Sequence, residues 1–500
     1  MKVGVVLPVY HQKPAYVFEC LQAMDKQTYK NFKLIIVIDG ANQQTVNATY
    51  AAAKQLRCSH KIIHRKENKG IAHSLNQGFH HLKDCPYLTW ISSDNRQHPQ
   101  FLNRLVKAMK NAPPNTALVY SLYWPINEHG KRMEPLDGWF ASMKKLMNRG
   151  KEQILSTCFV GASFLFTRTA YEQAGGYDPK YGVVSDYEFW VRLKDYGEFK
   201  YLAMPLMEYR LNGKHSLTTL TPKEELYLQS MKASIDYRKK NNMIPVVTVI
   251  ITAHNHENYI EQCVESVLSQ TFPHFNIVLI DVGSTDETAH KLHHWHDNRI
   301  IPLRIGKRTK PEALNVGLQY ALGEYVLELD GDDWLDPQTL ETMVNEMANQ
   351  PEDVGLAYAN RKLWFESDKE LQEGPVVSGL PYENKYEVLS TMQTHCPRLF
   401  RKSALEAVNG WETVIRGETL DVDDYLMFLK MAENFKLHWI NAALYHQRRH
   451  QTNLTIEKKD QLKHQFQLIV FEMLERWGNE FAPQFEESDG AISKVNLIKK

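Results

Sequence analysis

The feature that most constrains this 500-residue sequence is that it repeats itself once. Four blocks recur in the same order: KVGVVLPVY at Lys2 with VTVIITAHN at Val247, QTYKNFKLIIVID at Gln27 with QTFPHFNIVLID at Gln270, SLNQGF at Ser74 with ALNVGL at Ala313, and YLTWISSDNRQHPQFL at Tyr87 with YVLELDGDDWLDPQTL at Tyr325. The spacing between partners falls only from 243 residues in the second block to 238 in the fourth. A period this long predicts two duplicated domains and excludes a solenoid.

Each copy alternates short apolar runs with amphipathic stretches. We predict strands at Val3–Pro8, Lys33–Asp39 and Tyr87–Ile91 in the first copy and at Val247–Ile251, Ile277–Asp281 and Tyr325–Leu329 in the second. A helical stretch follows the first strand of each copy, at Ala15–Met24 and Ile260–Ser269. This pattern is typical of an α/β fold with a mostly parallel sheet covered by helices on both faces. Ligands of such sheets bind beyond the carboxyl ends of the strands, where the acidic motifs of this sequence lie.

The repeat sets the predicted domain boundaries. Copy one is assigned to residues 1–243 and copy two to residues 244–455, because the second copy restarts just after NNMIP at residues 241–245. Residues 456–500 fall outside the repeat and are predicted to form a helical C-terminal extension. Within it, DQLKHQFQLIVFEMLERW has the pattern of an amphipathic helix, and FAPQFEESDGAISKVNLIKK that of a loose or partly docked tail.

Composition narrows the partners and the compartment. Lys plus Arg and Asp plus Glu both number 59, so the formal charge is zero, which argues against a general nucleic-acid binder. Six scattered cysteines without a CxxC pair predict a reducing, cytoplasmic location instead of a disulfide framework or a zinc site. No run approaches the roughly 18 apolar residues of a membrane span. We therefore expect no transmembrane segment, with peripheral membrane contact left open.

The sequence Asp330-Gly331-Asp332-Asp333 directly follows the predicted strand YVLEL. Two carboxylates separated by one residue at a strand end can share a hard divalent cation, which in turn can hold a diphosphate. The alternative is an acidic turn that only caps the following helix, and the motif alone does not decide between the two. An EF-hand is excluded because the glycine and the later ligands stand at the wrong spacings.

Two further acidic positions stand at the start of predicted helices. Asp423-Asp424-Tyr425 opens one helical run, and Asp186 stands at the equivalent place in copy one, 238 residues earlier than Asp424. A carboxylate beside a metal site could take the proton of an attacking sugar hydroxyl. Taken alone, either residue is more simply explained as an N-terminal cap or a partner of the helix dipole.

His450 follows Arg448-Arg449 near the end of copy two, and Arg448 corresponds to Arg210 of copy one. An imidazole is a reasonable third metal ligand when a neighbouring group orients it. The chain has 21 histidines, and a single histidine is more often a surface or core residue. The place of His450 within the repeat is therefore what marks it as a candidate ligand.

Together these blocks resemble the inverting glycosyltransferases of family 2, which have the GT-A fold. The resemblance covers nearly all of residues 1–455, once per copy. Copy two carries VTVIITAHNHENYIEQCVESVLSQTF, LIDVGSTDET, LELDGDDWLDP, NGWE and DVDDYLMFLK, and copy one carries VGVVLPVYHQ, IVIDGAN, ENKGIAHSLNQGF, SSDNRQHPQFL, GGYDPKYGVVSDYEFWVRL and EYRLNGKHSLT. The resemblance implies two Rossmann-like, nucleotide-diphospho-sugar transferase domains in tandem, followed by the short helical tail.

For copy two the resemblance implies a full set of site residues. The implied roles are metal binding for Asp330, Asp332 and His450, catalytic base for Asp424, and nucleotide contacts for Thr252, His254 and Asp281. Asp332 is the expected direct metal ligand. The family has an acidic pair that contacts uracil and ribose at Asp281, but the second member of the pair is Val282 here. This departure leaves the nucleotide preference open.

For copy one the resemblance implies a reduced set. The implied roles are metal binding for Asp94, catalytic base for Asp186, and nucleotide contacts for Pro8, Tyr10 and Asp39. SSDN replaces the acidic run, so Ser92 stands at the first metal position and Asp94 at the second. Asn212 stands where copy two has His450. A single carboxylate together with a diphosphate can still hold Mg²⁺ or Mn²⁺, because these ions keep several waters.

The implied activity is transfer of a hexosyl or N-acetylhexosaminyl group, with inversion, from a nucleoside diphosphate sugar to a glycan or other hydroxyl acceptor. A UDP-sugar donor is favoured, with Mn²⁺ or Mg²⁺ as cofactor, and family analogy adds surface or spore polysaccharide biosynthesis as the setting. Two alternatives stay open. In the first, one copy binds sugar nucleotide or glycan without turnover. In the second, the chain is a sugar-phosphate nucleotidyltransferase, against which the absence of a Gly-rich GxGTR-like start after the first strand argues. The sequence also lacks GxGxxG, GxxxxGK[ST] and GxSxG, which argues against a dinucleotide oxidoreductase, a P-loop enzyme and a serine hydrolase.

Overall fold

The computed structural model describes residues 1–134, 137–211, 220–292, 295–367, 370–420, 424–450, 459–488 and 491–500. Its internal contacts divide the chain into two units, Met1–Tyr237 and Arg238–Lys500. This division falls a few residues before the start of copy two that the repeat predicts. No helix within these ranges has the length and apolar character that a membrane span needs.

The first unit is an α/β domain. Its strands are β1 (Val3–Val9), β2 (Phe32–Asp39), β3 (Ser59–Arg65), β4 (Tyr87–Trp90), β5 (Arg96–Gln97), β6 (Thr116–Ile126), β7 (Phe164–Thr167) and β8 (Glu198–Arg210). Its helices are α1 (Pro14–Asp25), α2 (Gln43–Ala53), α3 (Ile71–His80), α4 (Phe101–Lys110), α5 (Asp137–Met147), α6 (Arg168–Ala174) and α7 (Ser185–Leu193), and α8 (Lys223–Lys240) runs past the division. Short 3-10 helices lie at Lys151–Leu155, Pro179–Val184 and Lys194–Tyr196.

The sheet of the first unit has the strand order β3-β2-β1-β4-β7-β6-β8-β5 within the described residues. β1 pairs in parallel with both β2 and β4, whereas β7 is antiparallel to β4 and β6. β1 and β2 are buried along nearly their whole length, as expected of parallel strands with helices on both faces. The parallel half therefore brings the carboxyl ends of β1, β2 and β4 to one edge.

The second unit repeats this plan. Its strands are β9 (Val247–Ala253), β10 (Phe275–Val282), β11 (Ile300–Ile305), β12 (Tyr325–Asp330), β13 (Trp334–Leu335), β14 (Val354–Ser367), β15 (Glu370–Val377), β16 (Arg398–Arg401), β17 (Val414–Ile415), β18 (Glu418–Thr419), β19 (Lys436–Arg449), β20 (Phe481–Ser488) and β21 (Ala491–Lys499). Its helices are α9 (Ile260–Leu268), α10 (Thr288–Lys291), α11 (Lys310–Tyr320), α12 (Thr339–Ala348), α13 (Lys385–Thr391), α14 (Lys402–Ala407), α15 (Asp424–Asn434) and α16 (Lys459–Arg476).

The main sheet of the second unit has the order β11-β10-β9-β12-β16-β14-β19-β13 in the described part of the chain, with β15 added to β14. β9 pairs in parallel with β10 and β12, as β1 does with β2 and β4. Val3 faces Phe32 across β1 and β2, and Val247 faces Phe275 across β9 and β10. Val3 therefore corresponds to Val247, so the sequence alignment of the first block, which sets Lys2 against Val247, is one residue out of register.

A glycine lets one helix in each copy approach the first strand closely. A Cβ on Gly78 in α3 would lie 2.5 Å from Cγ1 of Val6, and one on Gly317 in α11 would lie 2.7 Å from Cγ2 of Ile250. Atoms in a close-packed interior cannot approach so closely without displacing a neighbour, so a side chain at either place would push the helix away from the sheet. The two glycines occupy the same position of the repeat.

The C-terminal extension is more ordered than the sequence pattern indicates. α16 is followed by the antiparallel hairpin β20–β21 instead of a loose tail. Trp477 and Phe481 pack against Tyr386 of α13, with ring centroids 5.3 and 5.2 Å apart. Val495 is fully buried while most of the hairpin is exposed, which leaves little apolar alternation in the sequence from which to predict the strands.

Candidate active sites

The carboxyl ends of the parallel strands bring the predicted site residues of copy two together. Asp330, at the end of β12, pairs in register with Thr252 of β9, and Asp281 of β10 pairs with Ala253. Gly331 follows at once and donates its N–H to the Thr252 carbonyl at 3.0 Å. The DGDD loop and the nucleotide-side residues therefore lie at one edge of the sheet, where ligands of such folds bind.

Asp332 and His450 lie side by side although 118 residues separate them. Nε2 of the histidine is 3.0 Å from Oδ2 of Asp332, and the imidazole stacks on Tyr259 with ring centroids 4.9 Å apart. Burial opposes ionisation of Asp332, but the hydrogen bond to His450 and the charge of His256 hold the pKa of this carboxyl below its usual value. The pair therefore presents an ionised carboxylate next to an oriented imidazole.

Arg448 and Tyr445 hold the DGDD loop from the protein interior. The Nε of Arg448 donates to the Asp332 carbonyl at 3.1 Å, and its backbone N–H donates to Oδ1 of Asp333 at 2.7 Å. The Tyr445 hydroxyl donates to Oδ2 of Asp333 at 2.7 Å. Burial, followed by the neighbouring carboxylates of the loop, raises the pKa of Asp333 well above its usual value. Asp333 is thus committed to the loop itself, which leaves the other two carboxylates for a ligand.

Lys310 connects the DGDD loop to the predicted base. It is the first residue of α11, and its Nζ forms an ion pair with Oδ1 of Asp330 at 2.7 Å. The positive charge of Lys310 also acts on the carboxyl of Asp424. The ammonium group of Lys310 favours the ionised form of Asp424 and offers a point charge to a phosphate.

Asp424 is the first residue of α15, and its Oδ2 lies 3.6 Å from Nη1 of Arg398. Arg398 in turn pairs with Glu328 of β12, and both partners are nearly fully buried. Burial opposes ionisation of Asp424, but the charges of Arg398 and Lys310 and the N–H of Tyr425 hold the pKa of this carboxyl below its usual value. An ionised carboxylate is the form that a general base needs.

Asp281 is fully buried and only partly satisfied. Its Oδ1 accepts the N–H of Ser284 at 3.1 Å. Its Oδ2 has no hydrogen-bond partner among the described residues and lies 3.5 Å from Nε of Arg304. His254 lies nearby, with Nδ1 2.8 Å from the carbonyl of Val282. A buried carboxylate oxygen without a donor is costly, so Oδ2 marks a place where a ligand N–H or O–H would bind.

Copy one builds the same loop with fewer charges. The hydroxyl of Ser92 donates to Oδ1 of Asp94 at 2.6 Å, and burial raises the pKa of Asp94. Arg210 takes the place of the loop arginine of copy two: its Nε donates to the Asp94 carbonyl and its backbone N–H to Oδ1 of Asn95, both at 2.9 Å. Asn212, the counterpart of the copy-two histidine, lies outside the described residues.

Asp186 is in the first turn of α7, and its Oδ1 accepts the N–H of Tyr187 at 2.7 Å. Copy two has the buried Arg398–Glu328 ion pair beside the base. At the equivalent places copy one has Phe164 and Trp90, which pack together with ring centroids 5.7 Å apart. Burial raises the pKa of Asp186, and none of the described residues forms an ion pair with it. Asp423, the neighbour of the base in copy two, lies outside the described residues.

Asp39 of copy one is fully engaged by its own domain. Its Oδ1 accepts Nε of Arg65 at 3.0 Å and the N–H of Lys69 at 2.9 Å, and its Oδ2 accepts the hydroxyl of Ser74 at 2.9 Å. The carboxylate is 4% exposed. Both oxygens therefore have protein donors. In the register of the two sheets Asp39 corresponds to Val282 of copy two and Ile38 to Asp281, so the two carboxylates stand at neighbouring positions of the repeat.

Tyr10 follows β1 at the same edge as Asp39. Its ring is 40% exposed and stacks on His11 with centroids 3.9 Å apart, and Nδ1 of His11 accepts the N–H of Asn42 at 3.1 Å. Pro8 is the next-to-last residue of β1 and is half-buried. This edge of copy one thus offers an exposed aromatic face beside a saturated carboxylate.

Two stretches of the chain, residues 4–175 and 248–408, match the family model for glycosyl transferase family 2. The chain belongs to this family. It is 23% identical over 388 residues to an uncharacterized glycosyltransferase of Rickettsia felis, covering 69% of this chain and 63% of that protein. It is 26% identical over 363 residues to a hyaluronan synthase of Pasteurella multocida (68% and 36% covered) and 27% identical over 339 residues to a chondroitin synthase of Escherichia coli (64% and 48% covered). The chain therefore spans about a third to two thirds of the length of these relatives.

Solved structures similar to this family member include S. aureus TarS 1–349 in complex with UDP-GlcNAc, at 18% identity and a TM-score of 0.34, covering 41% of this chain and 59% of that chain. They also include the mannosyltransferase PcManGT from Pyrobaculum calidifontis in complex with GDP-Man and Mn²⁺, at 20% identity and a TM-score of 0.35, covering 47% and 65%. Family membership of both matched stretches, together with the repeated sheet, makes the two units tandem GT-A domains. The fold predicted from the repeat is confirmed.

The donor set of copy two fits the divalent metal that is common in this family. Among the described residues, no three side chains of His, Cys, Asp and Glu are grouped as a closed metal site. Asp332 and His450 supply a carboxylate oxygen and an imidazole nitrogen 3.0 Å apart, and Mn²⁺ accepts both kinds of ligand. Substrate phosphates and water commonly complete such a coordination shell. An open donor pair of this kind fits an ion that binds together with the nucleotide.

Sequence analysis missed three charged residues of the family 2 site in copy two: Lys310, Glu328 and Arg398. The sequence does mark Glu328 as unusual, because a carboxylate inside the apolar strand YVLEL requires a buried partner. Nothing in the sequence identified that partner as Arg398, 70 residues away. Lys310 stands at the start of a helix, where a lysine is unremarkable, so its contact with the DGDD loop is visible only in the structure.

Proposed function

We propose that copy two is an inverting glycosyltransferase site that moves a hexosyl or N-acetylhexosaminyl group from a UDP-sugar to a hydroxyl group of a glycan or another acceptor. The observation that carries this proposal is the juxtaposition, at one edge of the sheet, of the Asp332–His450 donor pair with the ionised base candidate Asp424. Lys310 lies between the DGDD loop and the base: its Nζ pairs with Asp330 of the loop, and its charge acts on the carboxyl of Asp424. A metal-ligand pair next to a general base is the arrangement that transfer from a diphosphate requires.

In the proposed reaction, the carboxylate of Asp424 accepts the proton of the acceptor hydroxyl. The acceptor oxygen forms a bond to the anomeric carbon while the bond from that carbon to the diphosphate oxygen breaks, and attack from the opposite face inverts the configuration. Arg398, fixed by Glu328, keeps Asp424 ionised before the acceptor arrives. Asp332 and His450 would hold a divalent ion, which would supply charge to neutralise the leaving diphosphate.

The proposed donor nucleotide is UDP, and Asp281 is its anchor. Oδ2 of Asp281 lacks a donor among the described residues, and a uracil imide N–H or a ribose hydroxyl would provide one. Cytosine has an acceptor nitrogen at the ring position where uracil has this N–H, so a buried carboxylate there discriminates against CDP. The resemblance of this strand end to the nucleotide-contacting position of family 2 supports the same assignment.

The proposed setting is synthesis of a surface or spore polysaccharide in the cytoplasm. Two of the relatives are named as synthases of hyaluronan and chondroitin, which supports a polymer-building role. All six cysteines are free thiols, which supports a reducing compartment. We assign residues 1–243 and 244–455 to the two glycosyltransferase domains and residues 456–500 to the C-terminal extension.

Copy one has a second candidate function, which is to bind a nucleotide sugar or glycan without turnover. Within this function, the hydrogen bonds of Asp39 to Arg65 and Ser74 favour a glycan over a nucleotide sugar, because both oxygens of the nucleotide-side carboxylate already have protein donors. The raised pKa of Asp186 favours the absence of turnover, because burial makes this carboxyl harder to ionise and only the ionised form accepts the hydroxyl proton.

A transfer assay with the full chain tests the proposal for copy two. α-Linked UDP-sugars are incubated with Mn²⁺ and a panel of glycan acceptors, and the anomeric configuration of the product is read by NMR. We expect a β-linked product that is lost in Asp424→Asn. Metal-dependent binding of UDP without any release of UDP from the donors would support the binding function instead, and release of pyrophosphate from a nucleoside triphosphate would support a nucleotidyltransferase.

A further inference from the structure

Arg361 of β14 lies in the copy-two site, and the described residues use little of its hydrogen-bonding capacity. Its Nη1 donates to the carbonyl of Thr394. Its Nε is buried without a hydrogen-bond partner, and none of the described carboxylates lies within ion-pairing distance of the guanidinium. A guanidinium carries five N–H donors, and leaving a buried one unmade is costly. The free edge of Arg361, formed by Nε and Nη2, is therefore a candidate binding surface.

Thr394 places this arginine next to the proposed base. Its carbonyl accepts from Arg361, while its hydroxyl makes a hydrogen bond that helps to hold down the pKa of Asp424. Arg398 lies on the other side: its Nη1 donates to the carbonyl of His395 at 3.3 Å and is 3.6 Å from Asp424. One short segment, residues 394–395, thus joins two guanidinium groups and the base.

The positive charge of this region affects the pKa of His395. Its side chain is 1% exposed, its Nδ1 has no hydrogen-bond partner in the described part of the chain, and its Nε2 is 2.7 Å from the hydroxyl of Tyr382. Burial, followed by the charges of Arg361 and Arg398, lowers the pKa of His395 to about 4, so the imidazole is neutral at pH 7. Arg398 has Glu328 as its counter-ion, whereas the charge of Arg361 is not compensated by any described carboxylate.

Copy one has uncharged residues at the equivalent places. In the register of the two sheets, Arg361 of β14 corresponds to Tyr123 of β6, and Arg398 of β16 corresponds to Phe164 of β7. Tyr123 packs against Tyr209 with ring centroids 5.1 Å apart. A cation without a counter-ion among the described residues is therefore a property of copy two at this place and not a requirement of the fold.

We propose that Arg361 binds an anionic group on the sugar that copy two holds beside Asp424, so that copy two selects a charged sugar residue. The Nε–Nη2 edge of a guanidinium presents two parallel N–H groups, which match the two oxygens of a carboxylate or of a phosphate. A uronic acid residue is the better match, because a planar carboxylate engages both donors at once. This inference rests on the proposed function, since it names the substrate class of the same site.

The two ligand oxygens would satisfy the buried Nε and the neighbouring Nη2 together. Loss of a charge-assisted hydrogen bond of this kind lowers the affinity for the ligand by about 10- to 100-fold. The acid form of a sugar ligand should therefore bind copy two at least tenfold more tightly than its uncharged analogue. Because Arg361 lies next to the base Asp424, we expect this preference mainly for the acceptor sugar. The donor should show it only if the transferred sugar itself carries the charge.

The test compares matched ligand pairs on the full chain with UDP and Mn²⁺ present. The acceptor pair is an oligosaccharide ending in glucuronic acid and the same oligosaccharide after reduction of the carboxyl group, with affinities measured by titration calorimetry or ligand-observed NMR. A second pair, glucose 6-phosphate and glucose, reports phosphate recognition. A third pair, UDP-glucuronic acid and UDP-glucose, measured without added UDP, reports a charge on the donor. A preference for the charged member in any one pair assigns the source of the anion.

The variants decide whether Arg361 is responsible. Arg361→Met should bind the charged and the uncharged member of the ligand pair with equal affinity. Arg361→Tyr, which introduces the side chain of copy one, should behave in the same way. Arg361→Lys should keep part of the preference. Lys362→Met is the matched control, because it removes the next cation of the same strand, which already pairs with Glu373, and should leave the preference intact. Equal affinities for all three pairs in the wild type, or a preference unchanged in Arg361→Met, would overturn the inference.

The failure of this inference is distinguishable from failure of the proposed function. Release of UDP that depends on Asp424, without any charge preference, would leave the glycosyltransferase assignment intact and remove the role of Arg361. A charge preference that depends on Arg361, without release of UDP from any donor, would support the anion site and contradict turnover. Lysine at position 361 keeps the cation, so Arg361→Lys also separates loss of charge from misfolding if Arg361→Met proves unstable.

Discussion

Asp39 of copy one and Asp281 of copy two lie at the same strand end but one position apart, because Ile38 corresponds to Asp281 and Asp39 to Val282. Successive side chains of a strand point to opposite faces of the sheet, so the two carboxylates meet different neighbours. Asp39 accepts hydrogen bonds on both oxygens, whereas Oδ2 of Asp281 has no hydrogen-bond partner among the described residues and lies 3.5 Å from Nε of Arg304. A shift of one position thus separates a carboxylate that its own domain holds from one with an unused acceptor atom.

The same contrast extends to the two base candidates. Copy two places the charges of Arg398 and Lys310 near Asp424. Copy one has Trp90 and Phe164 on the equivalent strands, and its base Asp186 forms no ion pair with a described residue. The sheets retain the same strand order. We infer that the two copies differ in charge and polarity around a conserved framework, so the chemistry of each site is set by a few side chains and not by the fold.

The largest expected effect comes from Asp332→Asn, which should reduce release of UDP by copy two about 100- to 10,000-fold, the range typical of removing an electrostatic or acid–base group. The amide removes the ionised partner of His450 and weakens metal binding. The measurement is kcat/KM as a function of Mn²⁺ concentration. Asp94→Asn, the same change in copy one, is the control and should leave copy-two turnover intact. Full activity of Asp332→Asn at low Mn²⁺ would remove this residue from the metal site.

The next effect separates stability from binding at the two strand-end carboxylates. Asp39→Asn leaves the partly buried Arg65 without its counter-ion, so it should destabilise the first unit by about 2 kcal/mol. Asp281→Asn should change stability less and instead lower the affinity for UDP. Urea unfolding and UDP titration of both variants measure the two properties. If Asp281→Asn unfolds as readily as Asp39→Asn and binds UDP normally, the two carboxylates have the same structural role.

Loss of a single hydroxyl should have a smaller effect. Ser74→Ala removes the donor to Oδ2 of Asp39 and should destabilise the first unit by about 1 kcal/mol, the worth of one ordinary hydrogen bond. Urea unfolding of this variant beside Asp39→Asn measures the order of the two effects. A loss of stability in Ser74→Ala as large as that in Asp39→Asn would mean that the hydroxyl, and not the ion pair with Arg65, holds this carboxylate.

The smallest effect at neutral pH is expected from the two base candidates, Asp186 and Asp424. The difference between their pKa values changes activity only as the pH falls. Burial raises the pKa of Asp186, whereas the charges of Arg398 and Lys310 hold the pKa of Asp424 down despite its burial. A base works only when ionised, so any copy-one activity should disappear at a higher pH than copy-two activity. Arg398→Met should move the acid limb of copy two upward. Profiles of kcat/KM against pH on Asp186→Asn and Asp424→Asn, each with one working copy, measure the order, and coincident acid limbs would contradict it.

The fold was predictable because burial imposes a regular pattern on the chain. Strands such as Val3–Val9 and Val247–Ala253 are covered on both faces, so they appear as continuous apolar runs that repeat at a steady spacing. Acidic residues directly after such runs fall at the sheet edge, which is why Asp281 and Asp330 could be placed at one site from the sequence. The mostly exposed hairpin at Phe481–Lys499 lacks that pattern and was not predicted.

The charged network around Asp424 was not predictable, because it depends on pairs that are distant in sequence. Arg398 meets Glu328 and Asp424 only after β16 has paired with β12, and Arg361 reaches Thr394 only from the neighbouring strand. Each of these residues is ordinary when viewed in its own stretch of sequence. Saturation of Asp39 is hidden for the same reason, since its donors stand 26 and 35 residues later.

The central claim, that copy two is the catalytic glycosyltransferase site, is tested most directly by a donor screen. Release of nucleoside diphosphate from a panel of UDP-, GDP- and other nucleotide sugars is measured with Mn²⁺ and with EDTA, on the wild type, Asp186→Asn and Asp424→Asn. We predict release of UDP that requires Mn²⁺, persists in Asp186→Asn and is lost in Asp424→Asn. Release that survives in Asp424→Asn and disappears in Asp186→Asn would contradict the assignment and place catalysis in copy one.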